Sequence, residues 1–286
     1  MGSVIDVGVP LLIVLAMVVV GLELTPADVS RVLHYPVQVV VALACQVLVL
    51  PLIAAALILL LRPAPAVAGG LILAAAAPQA MTSNYYCLLA RADIALSVTL
   101  TAASSVVAVA STPLVAKLAF DLLLEQQASL VLPVGKVMQQ VVMGLLLPVG
   151  VGMLVRRYAA RFVERNRTRL QRLSMLAVAA MLVIILADQA ATIERNLASI
   201  VVAAVLFTAA AAGLGLSVAK ALSWTREDTL TMVAGFPSRS LGIAALIAIN
   251  VLGRLDFLSF AATFYLVQAA LLVPAMLLAR PTGAGT

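Results

Sequence analysis

The chain has 286 residues, 64% of them hydrophobic and only 10% charged, with a mean hydropathy of +1.17 and a formal net charge of +6. Soluble domains carry about 25% charged residues, and surface-to-volume scaling leaves a chain of this length no way to bury so much apolar surface. A soluble fold is therefore excluded, and an all-α polytopic membrane protein is expected. The basic residues sit between apolar runs and not on an aromatic-interleaved face, so the pI of about 9.8 reflects membrane topology. No nucleic-acid partner is expected.

A spanning helix needs about 20 mostly apolar residues. Taken in order, the runs 4–22, 36–61, 66–90, 94–120, 134–154, 173–191, 197–222, 230–252 and 255–278 meet that measure, giving about nine transmembrane helices. The first run has no basic region before it and no evident cleavage site, so it reads as a retained helix instead of a signal peptide. It ends in Glu23-Leu24-Thr25-Pro26-Ala27-Asp28, where Thr25 can cap a short interfacial helix with Pro26 at its first position. Arg91-Ala92-Asp93 makes a very short turn, and Asp121 to Ser129 is a polar connection. Arg156, Arg157, Arg161, Arg165, Arg167, Arg169 and Arg172 fall in a basic loop after the fifth helix, and Glu194-Arg195-Asn196 turns the chain again. The tail Pro281 to Thr286 is expected to be disordered.

With the N-terminus outside, the inner side collects Arg31, Arg91, the seven clustered arginines, Lys220, Arg226 and Arg280. The outer side keeps only Arg62, Lys117, Lys136, Arg195 and Arg254. That asymmetry favours an outer N-terminus and a cytoplasmic C-terminus in a plasma or inner membrane. Asp6 and Asp188 read as interfacial, His34 as a surface residue, and Cys45 and Cys87 as small packing residues within apolar runs.

Two of the spans are interrupted. Ala77-Pro78-Gln79-Ala80-Met81-Thr82-Ser83-Asn84 breaks the third, and Gly235-Phe236-Pro237-Ser238-Arg239-Ser240 breaks the eighth. Helix-breaking backbone at membrane depth is tolerated only where protein or a water-filled cavity satisfies it. Spans two to four and seven to nine each place the broken helix in the middle and start on opposite sides, which describes inverted repeats, and paired breaks of this kind point to a transporter binding site.

The polar residues near the breaks carry the chemistry. Ser83 and Asn84 lie at the first, with Ser97 and Thr101 on one face of the next helix. Hydroxyls, an amide oxygen and freed carbonyls suit a small alkali cation better than a transition metal, although small polar residues also serve simply to pack membrane helices. Gln46 and Gln268 are amides in comparable positions of the two trios; for Gln268 an interhelical hydrogen bond is the simpler role. Arg239 is the costliest residue, a charge within an apolar helix that opposes insertion by about 3 kcal/mol. It should face a cavity or partner, as a receptor for an anion or as a fixed positive charge at the crossing point, unless its long stem reaches an interface. Ser238 and Ser240 flank it. No nucleophile–base arrangement, phosphate-binding loop or metal-ligand spacing is evident, so an enzyme is not expected.

Three segments resemble the bile acid:sodium symporter family. They are Gly21-Leu22-Glu23-Leu24-Thr25-Pro26-Ala27-Asp28; Thr82-Ser83-Asn84 with Leu89 through Thr101; and, more loosely, Thr229-Leu230-Thr231 with Gly235. The resemblance implies one transporter domain with two broken helices crossing near the bilayer midplane. A panel would comprise residues 4–22 and 134–191, and a core 36–120 and 197–278. By position, Ser83, Asn84, Ser97 and Thr101 match ligands of one sodium ion, and Gln46 matches a residue near a second. Family members often have ten helices, and the one lacking here would be the first.

The second crossover departs from the family's Glu-x-Gly-x-Gln-Asn-Ser-Gly: it reads Val233-Ala234-Gly235-Phe236-Pro237-Ser238-Arg239-Ser240. Val233 stands for the glutamate and Pro237 for the glutamine, so neutral oxygens alone must offset cation dehydration. The expectation is a secondary transporter of small organic anions working by alternating access. Arg239, Ser238, Ser240, Asn84 and Gln268 would line the substrate site, with weakened sodium coupling and no cofactor other than sodium. Nothing in the sequence shows a steroid-sized cavity or fixes an oligomeric state. The alternatives are a sodium-coupled symporter using only Ser83, Asn84, Ser97 and Thr101, and a non-transporting membrane sensor.

Overall fold

A computed structural model describes residues 7–23, 35–124 and 133–280, apart from the side chains of Glu23 and Arg167. Among the described residues the chain is helical, with turns and one isolated β-bridge. The helices are α1 (Val9–Glu23), α2 (Pro36–Leu61), α3 (Pro65–Ala76), α4 (Thr82–Ala90), α5 (Ile94–Leu123) and α6 (Val134–Tyr158). They continue with α7 (Ala160–Asp188), α8 (Ala190–Ala221), α9 (Arg226–Gly235), α10 (Leu241–Leu252) and α11 (Leu255–Leu278). Six of these contain stretches long and apolar enough to cross a bilayer: α2, α5, α6, α7, α8 and α11. The pairs α3/α4 and α9/α10 are the two interrupted spans, and α1 is a shorter apolar helix. The molecule is thus an all-α polytopic membrane protein.

The first interruption follows from proline. Pro78 disfavours helical geometry at the residue before it, and Ala77 is extended at φ −66°, ψ 153°. In the second, Pro237 has no N–H with which to continue α9. The two freed segments satisfy each other: Ala80 N donates to Ser238 O at 2.9 Å, and Ser240 N donates to Pro78 O at 3.0 Å. That antiparallel bridge, centred on Gln79 and Arg239, is what makes broken backbone tolerable inside an apolar bundle. Helix restarts beyond it, α10 being capped by Ser240 Oγ, which accepts from Ile243 N at 3.4 Å.

α3 is the buried centre, with every residue from Ala66 to Ala77 inside. It packs on α11, α5 and α2. Phe257 and Phe260 lie directly over Gly69 and Gly70, where any Cβ would collide with them. Around this seam Phe120 stacks on Phe257 at 5.8 Å and Phe260 on Phe264 at 5.7 Å. Elsewhere α1 packs on α7 and on the Leu147–Tyr158 part of α6, with Gly21 and Gly152 each set against the other helix's backbone.

Two stretches of π-helix interrupt long helices just before a proline: Cys45–Val49 ahead of Pro51 in α2, and Val142–Leu146 ahead of Pro148 in α6. Proline removes one i→i−4 bond and crowds that carbonyl, so the wider turn is the local solution.

The sequence reading is corrected in three places. The basic stretch after α6 is no loop: α7 is helical from Ala160, and Arg161, Arg165, Arg169 and Arg172 are exposed on it. Arginine is a good helix former and no Gly or Pro occurs between Ala160 and Asp188. Glu194, Arg195 and Asn196 lie inside α8, the turn falling at Gln189 instead (φ −93°, ψ 10°). Asp121 likewise belongs to α5, paired with Lys117 one turn earlier. Asp6, the capped interfacial turn at 23–28 beyond Glu23, Arg31, His34, most of the 121–129 connection and the tail from Pro281 lie outside the described residues.

Candidate functional site

The crossing of the two interrupted spans brings five of the nine expected polar residues, Gln46, Ser83, Asn84, Ser97 and Thr101, into one network. Asp93 starts α5 by accepting from Leu96 N at 2.9 Å through Oδ1, while its Oδ2 accepts from Tyr35 OH at 3.0 Å. This cap fixes the short turn after α4, so Ser97 and Thr101 face the beginning of α4. Ser97 Oγ donates to Asn84 Oδ1 at 2.7 Å and lies 3.1 Å from Ser83 Oγ. Thr101 Oγ1 donates to Ser97 O at 2.9 Å, and Ser83 Oγ to Ala80 O at 2.8 Å. Ser83, Ser97 and Thr101 are buried and Asn84 is half-buried.

Gln46 comes from the π-helical turn of α2, and its Nε2 donates to Gln79 Oε1 at 2.9 Å. Gln79 is the residue missed as a site candidate. It joins the α2 amide to the α4–α5 hydroxyls, its Nε2 lying 3.0 Å from Ser83 Oγ and 3.5 Å from Thr101 Oγ1. Ser104, also missed, accepts from Gln79 N at 3.2 Å. The available signal was an amide within a membrane-depth break, where uncharged polar groups must find partners.

Arg239 is 4% exposed, so its stem does not carry it to an interface. It reaches back to the end of α3: Nε donates to Ala74 O at 3.4 Å, Nη2 to Ala75 O at 3.2 Å and also to Ala77 O. The last carbonyls of a helix lack intrahelical partners and carry its negative dipole end, which offsets part of the cost of burying the cation. No carboxylate pairs with Arg239 among the described residues, and Asp188 is instead bonded to Gln189. Arg239 Nη1 has no hydrogen-bond partner among the described residues. Arg239 and Gln46 line a narrow cleft together with Ser104, Ser111 and Pro78, and Gln46 Oε1 is likewise without a hydrogen-bond partner among the described residues.

The remaining expected residues lie on the α9–α11 side. Gln268 Nε2 donates to Ser238 Oγ at 3.3 Å, and Ser238 Oγ to Ala234 O at 2.6 Å. Ser240 serves as the α10 cap. These contacts tie α11 to the second break. No group of three or more His, Cys, Asp or Glu able to hold a metal is found among the described residues.

The profile described as the Sodium Bile acid symporter family matches residues 10–196. The matched range contains Gln46, Ser83, Asn84, Ser97 and Thr101 and stops short of Gly235–Ser240. The chain is 28% identical over 229 residues to a probable chloroplastic sodium/metabolite cotransporter of Oryza sativa, covering 79% of this chain and 53% of that protein. It is 34% identical over 151 residues to a second such protein from Arabidopsis thaliana, covering 52% and 36%. An uncharacterized sodium-dependent transporter of Bacillus subtilis is 24% identical over 226 residues, covering 78% and 68%. The chain thus spans about half, or less, of the length of the two plant relatives.

Proposed function

Because the chain belongs to the sodium bile acid symporter family, we propose that it is a secondary transporter of small organic anions, with Arg239 as the group that receives the anion. The observation carrying this reading is the buried guanidinium at the crossing: among the described residues it has no carboxylate partner and its Nη1 no hydrogen-bond partner, and Arg239 lines a cleft together with Gln46. The carbonyls at the end of α3 offset only part of the cost of a charged group at membrane depth. Asn84, Ser238, Ser240 and Gln268 would complete the surroundings of the substrate path. Transport would proceed by alternating access, a core of residues 36–120 and 197–278 moving against a panel of 4–22 and 134–191. The orientation that fits the arginine-rich start of α7 is cytoplasmic for that end, with the N-terminus outside.

Sodium coupling is the finer question. The relatives' names include sodium, and the Ser83–Asn84–Ser97–Thr101 oxygens are gathered as a sodium site would need. A sodium-driven mode through those four residues is therefore the second reading. Against it stands the second crossover, where Val233 and Pro237 supply neither carboxylate nor amide.

Proteoliposomes holding the purified protein, assayed with radiolabelled mono- and dicarboxylates with and without a sodium gradient, test the proposal. Anion uptake that persists without sodium and is lost in Arg239→Met supports it. Strict sodium dependence supports the second reading. Transport of no anion, with no anion altering thermal stability, removes the transporter reading.

A further inference from the structure

The centre of the oxygen cluster already holds a positive partner, and that partner is a side chain. Thr101 Oγ1 directs its one proton to Ser97 O, and Ser83 Oγ directs its own to Ala80 O. Both hydroxyls therefore turn lone pairs toward Gln79. Only the –NH2 end of an amide can answer two lone pairs, and Gln79 Nε2 stands 3.0 Å from Ser83 Oγ and 3.5 Å from Thr101 Oγ1. The opposite end fits as well, since Gln79 Oε1 accepts from Gln46 Nε2 at 2.9 Å. Gln79 is 2% exposed, and it fits because the facing residue is glycine: a Cβ on Gly235 would lie 3.0 Å from its Nε2 and 3.1 Å from its Oε1. The facing segment Val233–Ser240 contains no carboxylate.

We propose that Gln79 sets the ion specificity of this carrier: against Ser83 and Thr101, two of the four cluster residues Ser83, Asn84, Ser97 and Thr101, its carboxamide takes the place of the co-transported cation, so the crossover is held together without sodium. This rests on the reading of those four residues as an alkali-cation site. An amide N–H pair offers partial positive charge to the same lone pairs a sodium ion would meet, with no dehydration to offset and no ion to release at each cycle. The network is neutral, whereas the substitution Gln79→Glu would place a carboxylate among the hydroxyls and amides, the donor set a hard monovalent cation prefers.

The test needs no knowledge of the substrate. Thermal unfolding of the detergent-purified protein is compared in sodium chloride and choline chloride at equal ionic strength, alongside direct binding of radioactive sodium. The wild type should show no sodium-specific shift and background binding. Gln79→Glu should gain a sodium-specific rise of several degrees and bind sodium about tenfold above the wild type. The gain should vanish in the double variant Gln79→Glu with Ser97→Ala, tying it to the cluster. A sodium-specific shift in the wild type that Gln79→Ala abolishes overturns the proposal, because Gln79 would then be a ligand of the ion. Absence of any sodium response in Gln79→Glu and Gln79→Ala, both monodisperse, overturns instead the underlying reading of the cluster as a cation site.

Discussion

Gln79 and Arg239 are bridge partners across the only backbone pairing between the two interrupted spans among the described residues, and their side chains serve opposite ends of the same crossing. Gln79 gathers α2, α4 and α5 through their amide and hydroxyl groups, whereas Arg239 closes the end of α3 through its carbonyls. One residue organises neutral polarity and the other fixed charge, and the backbone link makes them a single unit.

Removing the guanidinium should therefore cost stability as well as uptake. Arg239→Met leaves the carbonyls of Ala74, Ala75 and Ala77 without this donor in an apolar interior, a loss of about 3 kcal/mol. Thermal unfolding in detergent should show it as a clear drop in Tm. An unchanged Tm would mean that the end of α3 needs no side-chain donor.

The contact between Ser83 and Ser97 should appear as coupling and not as two separate effects. The two hydroxyls lie 3.1 Å apart in one cluster, so Ser83→Ala and Ser97→Ala should be non-additive by about 1 kcal/mol in a double-mutant cycle of unfolding free energies. Additive losses would show the two to be independent packing residues.

Gly235 should tolerate no side chain while Gln79 is present. Gly235→Ala places a methyl at 3.0 Å from the Gln79 amide, and overpacking of this kind typically costs about 1–3 kcal/mol. Adding Gln79→Ser shortens the colliding side chain and should restore most of the lost Tm. Failure of that rescue would put the strain in the α9 backbone.

A prominent ion pair should matter little. Arg254 makes two bonds to Asp256, at 2.8 and 2.7 Å, and lies 4.4 Å over the Phe257 ring. The pair is partly exposed at the start of α11, and such pairs contribute about 0–1 kcal/mol. Asp256→Asn should shift Tm only slightly, and less at high salt.

How much of this was legible follows from what each signal encodes. Apolar runs gave away the spans because bilayer thickness sets their length, and Pro78 and Pro237 marked the breaks because proline acts locally on its own helix. The helical start of α7 was hidden because charge reads as loop in a hydropathy pattern, although Arg161, Arg165 and Arg169 are sound helix residues at four-residue spacing. The oxygens on α4 and α5 could be paired by helical periodicity. The role of Gln79 could not, since its partners come from α2, α4 and α5 and its space from Gly235; only the tertiary crossing places these four together. Arg239 could be identified as costly but not as a cap, because the carbonyls it meets lie more than 160 residues away in sequence.

The π-helical turn in α2 has a bearing on the phase of that helix. Each residue of an α-helix advances about 100° around the axis, so a turn that accommodates one more residue offsets the facing of everything before it relative to everything after. Val39 and Ala42 precede the offset, Leu50, Ala54 and Ile58 follow it, and all five are buried, while Gln46 sits within it. A one-residue deletion between Val47 and Val49 that relaxed the turn to regular α-helix would twist the Val39 stripe toward lipid and swing the Gln46 amide away from Gln79. Conversely, replacing Pro51 removes the cause of the offset while keeping the length of the helix. The azimuth of this amide is thus written by a proline five residues downstream, a dependence that no contact between the two side chains would reveal.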